Sequence, residues 1–121
     1  MLSELDNFYF RQREPLQSGL LALRDILLAM DNRISQRQRF QVPFFYYKEW
    51  RIAFLWVVKQ KEIMFAVLTD NRVNPPGKRK REDETDIIML NPGEDFPIDI
   101  IHEKINDRIR FYDSLGFDPE T

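Results

Sequence analysis

The chain contains no cysteine and only one histidine, His102, among its 121 residues. The absence of cysteine excludes disulfide scaffolds, zinc ribbons, iron–sulfur ligation and cysteine nucleophiles. A single histidine excludes metal sites built from several histidines and leaves one possible base for a Ser-His-Asp triad. No serine stands in a Gly-x-Ser-x-Gly context and no carboxylate pair lies in a recognisable motif. We therefore predict that the protein is not an enzyme.

Long hydrophobic runs are also missing. The longest apolar run, residues 52–58, has the length of a strand, whereas a membrane span needs about 18 residues or more. The N-terminal residues lack the basic start and apolar core of a signal peptide. With 43% hydrophobic and 31% charged residues, the composition predicts one globular domain over residues 1–121. We expect it to be cytoplasmic, with no membrane partner.

The net charge of −2 conceals an uneven distribution of charges along the chain. Residues 33–61 contain seven Lys and Arg and one acidic residue, Glu49, whereas residues 82–121 contain three Lys and Arg and twelve acidic residues. Electrostatic fields act locally, over about 8 to 10 Å at physiological salt. The two halves could steer an anionic and a cationic partner to opposite sides, but complementary halves of one fold are the favoured interpretation.

Apolar side chains recur at helical spacing near both ends of the chain. The first stripe predicts a helix over residues 14–30, preceded by a shorter helix that starts near Ser3. The second stripe predicts a helix that Pro97 opens and Gly116 caps. The first stripe consists of Leu16, Leu20, Leu23, Leu27 and Met30, and the second of Ile98, Ile101, Ile105, Ile109 and Tyr112.

Between these helices the pattern indicates strands over residues 34–41, 44–47, 51–59, 63–69 and 86–90, with an exposed loop over residues 71–85. Pro43 requires a sheet edge, a bulge or a strand end. Strands flanked by helices predict an α+β two-layer sandwich, in which N- and C-terminal helices flank an antiparallel sheet.

The strand at residues 51–59 is apolar on both faces, whereas a strand in a sheet with one solvated face should alternate between apolar and polar residues. Alternation places Ile52, Phe54, Trp56 and Val58 on one face and Ala53, Leu55 and Val57 on the other. The second face must therefore be covered by a helix, a loop or a partner.

Aromatic residues are concentrated in the same region, since nine of the sixteen lie between Phe40 and Phe65. A large exposed apolar surface usually marks an interaction site, so these residues predict a ligand pocket or a homodimer interface. The alternative is a second, minor core covered by loops and the N-terminal segment. The candidate interface residues are Phe44, Phe45, Tyr46, Tyr47, Trp50 and Trp56.

The segment Val42-Pro43-Phe44-Phe45-Tyr46-Tyr47, which follows a leucine-striped helix, resembles the Met-Pro-Phe/Ala-Phe region of the YdhG-like domain family. The following hairpin, the Gly77-Lys78 loop and the isoleucine-rich closing helix are similar as well, so the resemblance covers residues 14–110. It implies a frataxin-like fold, and because some members are described as intracellular iron chaperones, it implies iron as a possible cofactor.

The acidic ridge that frataxins carry on their first helix and first strand is not matched here. The corresponding region holds scattered acidic residues and then a basic strand with Arg33, Arg37 and Arg39. An alternative metal site is the acidic face of the C-terminal helix, since Asp99, Glu103 and Asp107 recur every four residues and His102 lies three after Asp99. Charged stripes more often face water, and that interpretation is favoured.

Basic residues alternate with aromatic ones at Arg37, Arg39, Lys48 and Arg51, a pattern that suits single-stranded nucleic acid. The sequence pI of 5.4 and the lack of an RRM motif make nucleic acid the weakest alternative. A basic run in the predicted loop could contact phosphate, although only Gly77-Lys78 matches a phosphate-binding loop. This run is Lys78, Arg79, Lys80 and Arg81. We predict a non-enzymatic binding domain that uses its aromatic sheet face for a ligand or for homodimer formation.

Overall fold

The computed structural model describes residues 3–73 and 84–119, which form a five-stranded antiparallel sheet and three α-helices. The strands follow the order β1-β2-β3-β4-β5 across the sheet, so that each strand pairs with its neighbour in sequence. The elements are α1 (Glu4–Phe10), α2 (Leu16–Met30), β1 (Ile34–Arg39), β2 (Val42–Tyr47), β3 (Trp50–Val58), β4 (Glu62–Thr69), the 3₁₀ turn η1 (Asn71–Val73), β5 (Glu84–Leu90) and α3 (Ile98–Ser114). The predicted α+β arrangement is confirmed.

A side-chain cap starts α1, whereas α2 and α3 follow a proline and carry the apolar stripes. The hydroxyl of Ser3 accepts the backbone N–H of Asp6 at 3.0 Å and so caps α1. Most residues of the two predicted stripes are buried against the sheet, and Leu20, Leu23 and Ile101 are fully buried. The exception in the second stripe is Ile98, the first residue of α3, which is 38% exposed. Gly116 has a φ of +75° and follows Leu115, the C-cap of α3, where a left-handed residue ends a helix.

All three helices contribute to one core, which lies on one face of the sheet. This core contains Tyr9 from α1, Leu23 from α2 and Ile105 from α3, together with Leu55 and Phe65 from the central strands. A chain of this size buries about two thirds of its unfolded surface, so a single core is sufficient to hold it together.

Several boundaries differ from the predictions. The helix predicted from residue 14 begins at Leu16, and the strand predicted from residue 86 begins at Glu84. The start of the predicted loop over residues 71–85 is ordered, because η1 buries Val73 and follows the buried Asp70. Pro43 is opposite Gln38 near the start of β2, before pairing with β3 begins at Phe44, so the prediction of a strand end is confirmed.

The β1–β2 turn contains two residues with positive φ, Phe40 (+54°) and Gln41 (+65°). A two-residue turn of this kind favours Asn-Gly, because a left-handed conformation costs other residues about 1 to 2 kcal/mol. Phe40 is also 76% exposed, so it gains little from burial.

We expect the double variant Phe40→Asn, Gln41→Gly to raise the free energy of unfolding by about 1 kcal/mol, because it removes this backbone cost. Urea denaturation measures the change. The control is Gln38→Gly, within β1, which should lower stability instead. Equal or lower stability of the double variant would show that the turn is not strained.

Candidate binding surface

The face of the sheet opposite the helices carries apolar side chains, and we call it the open face. Four of its residues form a small cluster of their own, Val42, Phe44, Tyr46 and Leu68, against which Phe54 packs. Among the described residues, no helix residue belongs to this cluster. Towards β5 the face is more accessible: Trp56 is 41%, Met89 43% and Ile87 57% exposed. The expected apolar second face therefore exists.

Strand register explains how the open face is built. Phe44 pairs with Phe54, Phe54 with Ala66, and Ala66 with Ile87, which places one row of apolar residues across four strands. A second row runs from Trp56 through Met64 to Met89. The rings of Phe44 and Phe54 stack with centroids 5.1 Å apart. Side chains opposite one another on adjacent strands contact each other, so these rows form a continuous surface.

The six predicted interface residues are divided between the two faces. Phe44, Tyr46 and Trp56 lie on the open face, but only Trp56 is exposed. Phe44 and Tyr46 are 8% and 7% exposed and belong to the small buried cluster, as the alternative of a second, minor core expects. The prediction is wrong for Phe45, Tyr47 and Trp50, which lie on the helix side of the sheet. Each is at most 1% exposed and belongs to the core beneath the helices. For Phe45 and Tyr47 the reason is the alternation of side chains along β2, which directs neighbouring aromatics to opposite faces.

A bulge in β3 corrects the predicted division of that strand. Phe45 pairs with Ala53 whereas Tyr46 pairs with Arg51, so Ile52 is the extra residue. Ile52 consequently joins Ala53 in the helix-side core instead of pointing with Phe54. The bulge also places Trp50 on the helix side, where its ring is stacked on Tyr112 of α3 at 5.2 Å, with 6° between the planes.

At one end of the open face, the buried carboxylate of Asp70 binds two arginines. Asp70 is 0% exposed. Its oxygens accept hydrogen bonds from the backbone N–H and the guanidinium of Arg51, at 3.0 to 3.2 Å. They also accept the backbone N–H of Arg72 at 2.9 Å and its Nη2 at 2.6 Å. Tyr112 completes the arrangement: it accepts the N–H of Asp70 at 2.8 Å and donates to the carbonyl of Arg51 at 2.6 Å.

These contacts determine the ionisation of Asp70. Burial works to raise the pKa of its carboxyl, but hydrogen bonds from Arg72 and Arg51 outweigh burial and hold the pKa well below its usual range. The carboxylate therefore stays ionised and keeps both guanidinium groups in place. The sequence analysis did not identify Asp70; the signal that could have found it is Arg51, a cation at the start of an otherwise apolar buried strand.

Beside Asp70, a cleft of about 580 Å³ opens on the same side of the sheet as Tyr46. Four arginines from β1, β3 and η1 contribute to its wall, and we call it the arginine cleft. Its described lining residues are Arg37, Arg39, Tyr46, Glu49, Arg51, Asn71 and Arg72. Arg37, Arg39 and Arg51 were predicted for the weak nucleic-acid alternative, and the fold brings these three together.

Aromatic rings orient the two arginines of β1. The guanidinium of Arg37 lies 4.6 Å from the centroid of Tyr46, and that of Arg39 lies 4.8 Å from Phe40. Arg37 also donates to Glu49 at 2.9 Å, a hydrogen bond that lowers the pKa of the Glu49 carboxyl. Both partners of this ion pair are nearly half exposed, and such pairs contribute little to stability.

Lys48, the fourth residue of the nucleic-acid alternative, lies away from the arginine cleft. Its Nζ is 3.7 Å from the carboxylate of Asp113 and 5.5 Å from the ring centroid of Tyr47. The hydroxyl of Tyr47 donates a hydrogen bond to the same carboxylate at 2.7 Å. Desolvation together with this hydrogen bond raises the pKa of the Tyr47 hydroxyl to about 12. The structure therefore does not place Lys48 with Arg37 and Arg39, although the nucleic-acid alternative grouped them.

The four residues of the alternative metal site lie on the solvent side of α3. Asp99, His102, Glu103 and Asp107 are all exposed, as expected of a charged stripe that faces water. Asp107 pairs with Arg110 instead. Within residues 3–73 and 84–119, no group of three or more Asp, Glu or His side chains is placed to hold an ion.

The basic run Lys78, Arg79, Lys80 and Arg81 lies outside the described residues. No described helix is both long and apolar enough to cross a membrane.

No protein-family model, curated protein or solved structure matches the chain.

Proposed function

We propose that this protein is a non-enzymatic, cytoplasmic binding domain that forms a homodimer through its open face. The observation that carries the proposal is the row of exposed apolar side chains on a sheet whose other face is covered by all three helices. Trp56, Ile87 and Met89 together make an apolar surface of the kind that marks interaction sites.

Two copies of such a sheet can pack face to face, about 10 Å apart, as the sheets of a β-sandwich do. The five strands span about 19 Å at about 4.8 Å per spacing, and three or four residues of each strand contribute. This gives a total buried area of about 1,000 Å², near the lower end for specific complexes. The dimer is therefore expected to dissociate in the micromolar range rather than to be permanent.

Charge on the open face selects one of the two possible twofold arrangements. With the axis perpendicular to the strands, β1 would lie over its own copy, and Arg37 and Arg39 would face the same residues of the partner. With the axis parallel to the strands, β1 lies over β5 instead, opposite the uncharged Ile87 and Met89. Since like charges repel, we propose the second arrangement.

In this arrangement, Ile87→Lys should weaken dimerisation at least tenfold, because it places a lysine opposite Arg37 and Arg39 of the other copy. Ile87→Glu should weaken it less, because the new carboxylate faces the same arginines. Analytical ultracentrifugation over a range of protein concentrations measures both effects. The matched control is Ile100→Lys, since Ile100 is 48% exposed on α3 and faces away from the open face.

A protein that remains strictly monomeric at high concentration would contradict the dimer. Equal weakening by Ile87→Lys and Ile87→Glu would contradict the position of β1 over β5 while leaving the open face as the interface. Weakening by Ile100→Lys would instead place the interface on the helical side.

The YdhG-like resemblance and the frataxin-like fold that it implies remain predictions, as does the iron-binding alternative through α3. The exposed positions of Asp99, Glu103 and Asp107 do not favour that alternative over the open face, and no second function is proposed from them.

A further inference from the structure

The arginine cleft lies at the β1 end of the open face, and the proposed dimer would leave its charge unneutralised, because Arg37 and Arg39 would face the uncharged Ile87 and Met89 of the other copy. Its wall carries four guanidinium groups, from Arg37, Arg39, Arg51 and Arg72. Among the residues that the structure describes, the carboxylates in contact with them are Glu49, paired with Arg37, and Asp70, shared by Arg51 and Arg72. Four positive and two negative groups leave a formal excess of two positive charges, before any residue outside the described ranges is considered. Clefts lined with charge of one sign concentrate ions of the opposite sign.

The guanidinium groups are held in position by hydrogen bonds or by ring contacts, although the side chain of Arg37 is 48% exposed. Asp70 fixes Arg51 and Arg72 through several hydrogen bonds, and Arg51 is only 9% exposed. Arg37 and Arg39 are stacked on the rings of Tyr46 and Phe40, and a stacked guanidinium keeps its N–H groups in the plane of its edge. Donors that are already ordered bind with less loss of conformational freedom.

Two further features indicate that the cleft accepts a ligand. Arg39 has no carboxylate partner among the described residues, and the partner of Arg37 is an exposed glutamate that a ligand anion can replace.

We propose that the arginine cleft binds a small oxyanion with at least two negative charges, either a phosphate compound or a polycarboxylate. Guanidinium groups form paired hydrogen bonds with both kinds of oxyanion. Arg37 and Arg39 contact the ligand directly, while Arg51 and Arg72 form the positively charged wall behind it. A cleft of about 580 Å³ matches the size of small-molecule sites, so it accommodates an organic anion as well as an inorganic one.

Isothermal titration calorimetry at low salt, with pyrophosphate and citrate as probes, tests the proposal and distinguishes the two sources of the anion. We expect saturable binding of at least one probe, weakened about tenfold or more by Arg39→Gln, because a hydrogen bond to a charged group is lost. Arg39→Lys should weaken binding nearly as much, because lysine keeps the charge but cannot present two parallel N–H donors. The matched control is Arg110→Gln, which removes an exposed arginine of α3 and should leave the affinity unchanged.

Absence of saturable binding for both probes would overturn the proposal. Equal affinity of wild type and Arg39→Gln for the probes would also overturn it. The same holds if Arg39→Lys binds the probe as tightly as wild type, because that would indicate a diffuse positive field without a shaped site. Binding of a single-stranded oligonucleotide without binding of either small anion would also overturn it. In the proposed dimer, β5 of the other copy would lie over Arg37 and Arg39, whereas Ile87→Lys should leave the cleft of the monomer unchanged. Titrating Ile87→Lys as well therefore separates a failure of this proposal, in which the monomeric variant also binds neither probe, from competition between dimer and ligand.

Discussion

Asp70→Asn should lower the free energy of unfolding by about 3 to 5 kcal/mol, the usual effect of removing one partner of a buried ion pair. The substitution keeps the size of the side chain but removes the charge that holds Arg51 and Arg72. In this chain such a loss corresponds to a fall in Tm of about 10 to 20 °C. Chemical denaturation and thermal unfolding, followed by circular dichroism, measure it.

The pH dependence of the same variant distinguishes an effect of charge from an effect of shape. The pKa of Asp70 is lower in the folded protein than in the unfolded chain, where it is about 3.9. The ionised carboxylate therefore contributes fully to the free energy of unfolding above the unfolded pKa, and this contribution is lost as the pH falls through the lower folded value. The stability difference between wild type and Asp70→Asn should therefore be constant above about pH 5 and decrease in acid.

The control is Asp25→Asn, which removes the partner of Arg24 at a site where the aspartate side chain is 68% exposed. It should change stability by less than about 0.5 kcal/mol. A similarly small effect of Asp70→Asn, or a difference from wild type that does not depend on pH, would show that Asp70 does not act through its charge.

The two tryptophans of β3 should respond very differently to truncation. Trp50→Ala should cost about 3 to 5 kcal/mol, because Trp50 is 1% exposed and its removal leaves a cavity beside Tyr112. Trp56→Ala should cost only about 1 kcal/mol, because Trp56 is 41% exposed, although its ring is 6.5 Å from that of Phe8. Guanidinium denaturation at protein concentrations below the dimerisation range compares the two variants.

Fluorescence gives an independent measurement, since these are the only two tryptophans in the chain. In Trp56→Phe the remaining emission comes from Trp50 and should resist quenching by acrylamide, whereas the emission of Trp50→Phe should be quenched readily. Comparable costs of the two alanine variants, or equal quenching, would contradict the assignment of Trp50 to the core and Trp56 to the open face.

Much of the fold could be predicted because its elements are locally encoded. The leucine stripe of α2 and the isoleucine stripe of α3 have the helical period, and the apolar runs of β3 and β4 are bounded by polar turns. The open face was predicted too, since residues such as Phe54 and Trp56 alternate with others that are equally apolar.

The remaining features depend on contacts between residues that are distant in sequence. The bulge at Ile52 arises from the pairing of β2 with β3, and alternation within β3 alone cannot reveal it. Asp70 follows a strand in a segment that resembles an ordinary loop, and its role depends on Arg51, 19 residues away, and on the hydroxyl of Tyr112. The arginine cleft joins β1 to η1 and was likewise not predictable as a unit.

The two outer strands of the sheet differ in a way that affects aggregation. Each leaves one row of backbone N–H and C=O groups without a strand partner among the described elements, and such edges can recruit further chains. On β1 the edge is guarded by Arg37 and Arg39, because charged side chains oppose strand addition. On β5 the exposed Ile87 and Met89 offer no such protection. Uncontrolled growth of the sheet in concentrated or partly unfolded protein is therefore expected to begin at β5, so the surface proposed for dimerisation would also be the one most exposed to misassembly.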